Sequence, residues 1–176
     1  RLSGTSVLKD FVELPSQLYE HWLERPEILR NFARHHRTGE PMPEALIDKL
    51  NAARTFNQGF TTVEFVASAL VDLDFHSLAW VEDIDPAAFE REALARIGMP
   101  REVALRHRLA HFSHLFGSDA YSAGYYSYLW SEVMDADTRE AFAEAGSVFD
   151  ANTAGKLRKY ILAPGNTTDR AQAYRD

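Results

Sequence analysis

Residues 10–22 read DFVELPSQLYEHW, and this stretch decides how the rest of the chain is read. Asp10 followed three positions later by Glu13 fits a helix start: Asp can cap orphan amides, and an acid one turn on can reach back to the cap. Pro15 is tolerated only near such a first turn, because it has no amide hydrogen and its ring clashes with the preceding turn. A helix running from here to about Glu24 puts Glu13, Gln17 and Glu20 on one polar stripe. Leu14, Leu18 and Trp22 then form an apolar stripe. By its own chemistry Glu13 is a capping acid and Glu20 a solvated helix residue.

Working outward, the same helical period recurs. Residues 1–9 read as a loop with Ser3, Gly4, Thr5 and Ser6. Pro26 restarts the chain into a short helix over 27–36, with Ile28, Leu29 and Phe32 as its apolar face. His35 and His36 lie on its surface, and as adjacent residues they point to different faces. Gly39, Pro41 and Pro43 mark a turn. Pro43 and Glu44 open a helix to about Asn57, with Leu46, Leu50 and Ala53 inward, and Gly59 interrupts. Phe60–Trp80 is the longest apolar stretch and predicts a central buried helix, with His76 a hydrogen-bonded core or boundary residue rather than a ligand. Asp85 caps the next helix, Pro86 opens it and Gly98 ends it. A helix over Ala123–Val133, a break at Asp135–Asp137, a short helix to Gly146 and an Asp150-capped helix to about Leu162 complete the chain. The expectation is an all-α fold of about eight helices.

Composition narrows the function. The 176 residues are 45% hydrophobic and 26% charged, ordinary for a globular protein. The formal net charge of −7, with no basic run, argues against a nucleic-acid binder, so no nucleic-acid partner is expected. Cysteine is absent, which removes disulfides and thiolate metal sites and is compatible with a reducing compartment; the expected location is cytoplasmic. No apolar run reaches a membrane span, so no membrane partner is expected.

His107, His111 and His114 would share one helical face and could chelate a metal, although no matching acid stands by as a base. The tyrosines from Tyr121 to Tyr128 read by themselves as aromatic core packing of the helix over Ala123–Val133, with some of Tyr125, Tyr126 and Trp130 as packing residues.

Set side by side, RLSGTS…DFVELPSQLYEHW, FSHLFGSDAYSAGYYSYLW and ILAPGNTTDRAQAYRD resemble segments of the zinc peptidase family of thimet oligopeptidase, oligopeptidase A and dipeptidyl carboxypeptidase. The resemblance runs through almost the whole chain, and the Tyr-rich stretch is most similar to the dipeptidyl carboxypeptidase branch. It implies the C-terminal portion, residues 1–176, of a single helical catalytic domain with a deep substrate cleft. Glu13 would be a zinc ligand, with Glu20 orienting a zinc-bound histidine as carboxylates commonly do. His114, Tyr121 and Tyr128 would contact the peptide and its tetrahedral intermediate, since a phenol can donate to a developing oxyanion. Gly117 and Gly124 would let the loop carrying Tyr121 close.

The sequence also departs from the family pattern. No HExxH occurs, so two histidine ligands and the general base lie outside this chain. This predicts a piece of a larger enzyme, inactive alone, whose partners are short peptides and the remainder of the same enzyme. Ala163 and Pro164 replace a Ser-Arg pair, and one extra residue stands between His114 and Tyr121. Two rivals remain: a catalytically dead helical peptide-binding module, and an independent metalloprotein built on His107, His111 and His114.

Overall fold

The computed structural model describes residues 6–80 and 82–176. The loop reading of Ser3, Gly4 and Thr5 therefore lies outside the described residues. Helices make up the regular structure, and among the described residues the only β pairing is an isolated bridge between Arg34 and Pro41. The all-α expectation holds. The chain divides into two compact units, residues 1–56 with 128–176, and residues 57–127.

The first unit begins with α1 (Lys9–Val12) and α2 (Leu14–Leu23), not with one continuous helix. Asp10 sits inside the first turn of α1 and caps nothing. The cause is Pro15, which can give no amide to the carbonyl of Phe11, so the helix parts at Glu13 and restarts with the proline in the first turn. The apolar stripe is as expected: Leu14 and Leu18 are completely buried. Each such leucine contributes about 1.5–3 kcal/mol relative to leaving it in water. Leu18 packs with Phe142 and Leu157, joined by Trp22 and Ile161. The Trp22 ring meets Phe142 edge-on at 5.2 Å, and its indole N–H donates to the carbonyl of Val148 at 3.0 Å.

Further expectations for this unit are corrected. α3 (Pro26–Phe32) is shorter than read and buries none of its residues, and Phe32 is 77% exposed. The chain turns out of the helix at Ala33 into the Arg34–Pro41 bridge, so the rings of His35 and His36 approach to 5.0 Å rather than pointing apart. In α4 (Glu44–Ala53) the buried residue is Ile47, while Leu46 and Leu50 are exposed. Finally, Asp135–Asp137 is no break, because α8 (Ser127–Glu144) runs through it. Asp135 is buried and pairs with His21 at 2.8 Å, which removes the incentive for this acid to end a helix. Of the three candidates for aromatic packing, Tyr125 packs, as expected of some of them, while Tyr126 and Trp130 are exposed.

α8 ends before Gly146, whose φ of 80° suits glycine. Asp150 then caps α9 (Ala151–Lys156), accepting from the amide of Thr153 at 2.7 Å, and this bond holds its carboxyl below the ordinary range. A π-helical turn over Leu157–Leu162 follows. α10 (Arg170–Arg175), capped by Asp169, was not read from the sequence.

Tyr174 on α10 has its hydroxyl 2.8 Å from both the carbonyl of Met134 and the carboxylate of Asp137. Burial, together with the neighbouring Asp137 charge, pushes this phenol up to about 12. The folded state thus holds the proton more tightly than the unfolded chain. Its contribution is fully present below pH 10 and is lost as pH rises from there through about 12. Urea titrations at stepped alkaline pH should show this fall, and Tyr174→Phe should remove that component of the slope.

The second unit is built on α5 (Gln58–His76) and α6 (Pro86–Arg96). α5 starts after Asn57, which takes a left-handed φ of 54°; Gly59 lies within the helix rather than interrupting it. The helix buries one side only, through Ala67, Ser68, Ala69, Val71 and Asp72, while Phe60 and Val63 stay exposed. It is therefore half-buried rather than central. Asp85 caps α6 as read, accepting from Ala87 and Ala88, and Gly98 ends it with φ of 71°. Between α6 and α8 lie a 3₁₀ turn (Leu109–His111) and α7 (Ser113–Phe116). Their residues Leu109, Phe112 and Leu115 complete a core with Ala67, Val71, Ala93 and Leu105.

Candidate functional site

Glu13 stands at the junction of α1 and α2, half-buried, serving as the last residue of one and the cap of the next. Its carboxylate lies 2.8 Å from the hydroxyl of Ser16, which also reaches the Glu13 carbonyl at 3.0 Å. The helix break imposed by Pro15 thus presents this carboxylate at a corner rather than along a helix face. Glu20 lies two turns on and is exposed. One residue between them, Gln17, donates from its side chain to the carbonyl of Tyr128 at 3.1 Å. The Ser131 hydroxyl lies 3.5 Å from the Asp10 carbonyl. The helix pair bearing Glu13 and the start of the helix bearing Tyr128 are therefore tied together within the first unit.

In the second unit His114, on α7, is exposed, and its ring meets Tyr121 at 5.6 Å in an edge-on arrangement. Between them lies an exposed bend at Gly117–Asp119. Gly117 is needed there: a Cβ would stand 2.7 Å from the carbonyl of Ser113. Tyr121 opens a turn closed by the Gly124 amide donating to its carbonyl at 2.8 Å. Tyr125, just beyond, stacks on Phe65 and packs against Phe112, as a core tyrosine should.

The shared helical face for His107, His111 and His114 does not form. A 3₁₀ turn and a break at Phe112 replace the helix, and the His107 and His114 rings are 6.4 Å apart. Among the described residues no three histidine or acidic side chains converge to hold a metal. Glu13 is thus a single oxygen donor of a type that zinc accepts, and one carboxylate does not make a site.

Sequence reasoning missed three polar side chains: Ser16 on Glu13, Asp135 on His21, and Asp72. Asp72 is fully buried, and its signal was visible, since it falls within the apolar side of α5 beside Val71. An acid there must be paired. It binds His76 at 2.7 Å, so His76 is the boundary residue expected. A cavity of about 220 Å³ in the first unit, lined by His21, Trp22, Arg25, Arg54, Arg139 and Phe142, contains none of the predicted site residues.

The family model described as Peptidase family M3 matches residues 1–176. The chain belongs to peptidase family M3. Among its M3 relatives, the dipeptidyl carboxypeptidase of Salmonella typhimurium is 40% identical over 98% of this chain and 25% of its own length. That of Escherichia coli is 38% identical over 99% of this chain and 26% of its own length. The oligopeptidase A of Escherichia coli is 34% identical over 96% of this chain and 25% of its own length. The resemblance read from the motifs is borne out, including the greater likeness to the bacterial dipeptidyl carboxypeptidases. The chain spans about a quarter of the length of these M3 relatives. Among the described residues, no helix is long and apolar enough to cross a membrane.

Proposed function

We propose that these 176 residues supply part of the active site of a zinc peptidase that hydrolyses short peptides, releasing C-terminal dipeptides or cutting as an oligopeptidase. The observation that carries this reading is the family match over the whole chain. Glu13 would hold the metal with two histidines from an HExxH that is not in this sequence, and Glu20 would orient one of them. Zinc, when bound, polarises a peptide carbonyl and acidifies water. Tyr121 and Tyr128 would donate phenolic hydrogens to the oxyanion that develops on that carbonyl, and His114 would bind the peptide beside Tyr121. The domain would be one helical catalytic domain with a deep cleft, of which this chain is the C-terminal part. Cytoplasmic action is the location we infer, supported by a relative in Arabidopsis thaliana named as a probable cytosolic oligopeptidase A.

The test is zinc content with activity. The 176-residue chain dialysed against trace zinc should hold close to none and cleave no peptide. The full-length protein should hold one zinc per chain and show peptide hydrolysis that a chelator abolishes. Stoichiometric zinc on the 176-residue chain would overturn the role given to Glu13. A full-length protein that binds peptides without cutting them would instead be a binding module.

A further inference from the structure

Two buried carboxylates grip the segment that carries His114 and Tyr121, one at each end. At its start, Glu90 on α6 is 3% exposed; it accepts from the amide of Leu109 at 2.8 Å and faces the Arg108 guanidinium at 2.5 Å. At its end, Asp72 on α5 is 0% exposed, and its two oxygens accept from the amides of Ala123 and Tyr125, each at 2.9 Å. His76 completes the second grip. Its Nδ1 faces the Asp72 carboxylate at 2.7 Å and the Asp72 carbonyl at 3.0 Å, so this nitrogen carries the hydrogen.

The backbone shows what the Asp72 grip does. Ala123 has φ of 57°, in the left-handed region, at the third position of the turn that starts at Tyr121. That position ordinarily takes glycine or asparagine. An alanine stays there only where its surroundings over-determine the conformation. Here the determinant is the Asp72 oxygen on the Ala123 amide. A second bond, from the Ser122 hydroxyl to the Leu115 carbonyl at 2.9 Å, ties the same turn to α7, next to His114.

We propose that Asp72 is a positioning residue for the peptidase reaction: its carboxylate holds the strained Ser122–Ala123 turn, and this sets where Tyr121 presents its phenol beside His114. This rests on the peptidase reading above. The stretch from Phe116 to Asp119 ahead of Tyr121 is exposed, while the turn that follows Tyr121 is bonded to Asp72 on α5. An ordinary flexible loop would fix neither the turn nor the ring.

Asp72→Asn tests this in the full-length protein. It keeps size but leaves one oxygen where two amides need acceptors. Its control is Val71→Ala, which loosens the same core without touching either amide. A misplaced catalytic group costs on the order of 10²-fold in rate. Asp72→Asn should therefore lower kcat about 10²-fold with KM changed by less than about threefold, as for a group acting only in the transition state. Val71→Ala, compared per folded molecule, should keep its kcat. Amide exchange should accelerate at Ala123 and Tyr125 in Asp72→Asn but not in Val71→Ala. Equal kcat losses in the two variants, or unchanged exchange at those amides, would overturn the proposal. Should Asp72→Asn not fold, wild-type exchange decides: the Ala123 and Tyr125 amides should be protected far beyond those of Ser118 and Asp119, and equal rates would overturn it. A wild-type protein that cuts no peptide with zinc bound would sink the peptidase reading. The exchange measurement would then judge the grip alone.

Discussion

Glu13→Gln in the full-length protein should abolish zinc retention and reduce kcat/KM by roughly 10³-fold or more. Zinc is worth several kcal/mol of transition-state stabilisation, and each 1.36 kcal/mol is a decade in rate. Glutamine keeps the shape of the side chain and can still accept from the Ser16 hydroxyl, so the α1–α2 corner should persist. The loss should therefore be of metal and activity, not of fold: elemental analysis should fall towards zero zinc, while the circular dichroism spectrum and unfolding midpoint stay near wild type. Retained stoichiometric zinc in this variant would remove Glu13 from the ligand set. The position suits the role. Pro15 forces a break, the break places Glu13 between two short helices, and a carboxylate at a corner can face a neighbouring element as one on a solvated stripe cannot.

Removing the phenolic oxygens should have the next largest effect. Tyr121→Phe and Tyr128→Phe each keep the ring and delete one donor. Loss of a single oxyanion donor costs about 10²–10³ in kcat. Both changes keep the ring, so Tyr121 retains its contact with His114, and the bond from Gln17 to the Tyr128 backbone carbonyl is untouched. The double variant should lose less than the product of the two single losses if both phenols serve one oxyanion. Steady-state kinetics on a short peptide would decide. If both variants keep kcat within about threefold of wild type, the oxyanion assignment falls, since a group that acts in the transition state cannot be removed at no cost in rate.

Much of the local structure was legible because capping and turn chemistry are local. Asp85, Asp150, Gly98 and Gly146 each end or begin a helix where their side chains or backbone freedom require it. Leu14 and Leu18 are buried as their spacing indicated. What was misread depended on partners distant in sequence. Asp135 and Asp137 look like a helix break until Asp135 is seen paired with His21, 114 positions away. Leu46 and Leu50 satisfy the helical period as well as Ile47 does, and only packing selects Ile47. Pro15 was correctly placed in a first turn, but of the wrong helix, because the preceding turn was assumed continuous.

The sequence by itself carried the all-α class and, through motifs that resemble those of known relatives along the whole chain, the peptidase family. The class follows from helical periodicity and the family from resemblance, and neither needs three-dimensional context. The tertiary structure alone decided which carboxylates are buried and what they hold. The apolar stretch around Asp72 marks an acid in need of a partner, but its partners, the Ala123 and Tyr125 amides, appear only once α5 is packed against a turn some fifty residues away. Burying a charge is costly unless hydrogen bonds compensate it, and those bonds come from backbone groups whose position no side-chain pattern records.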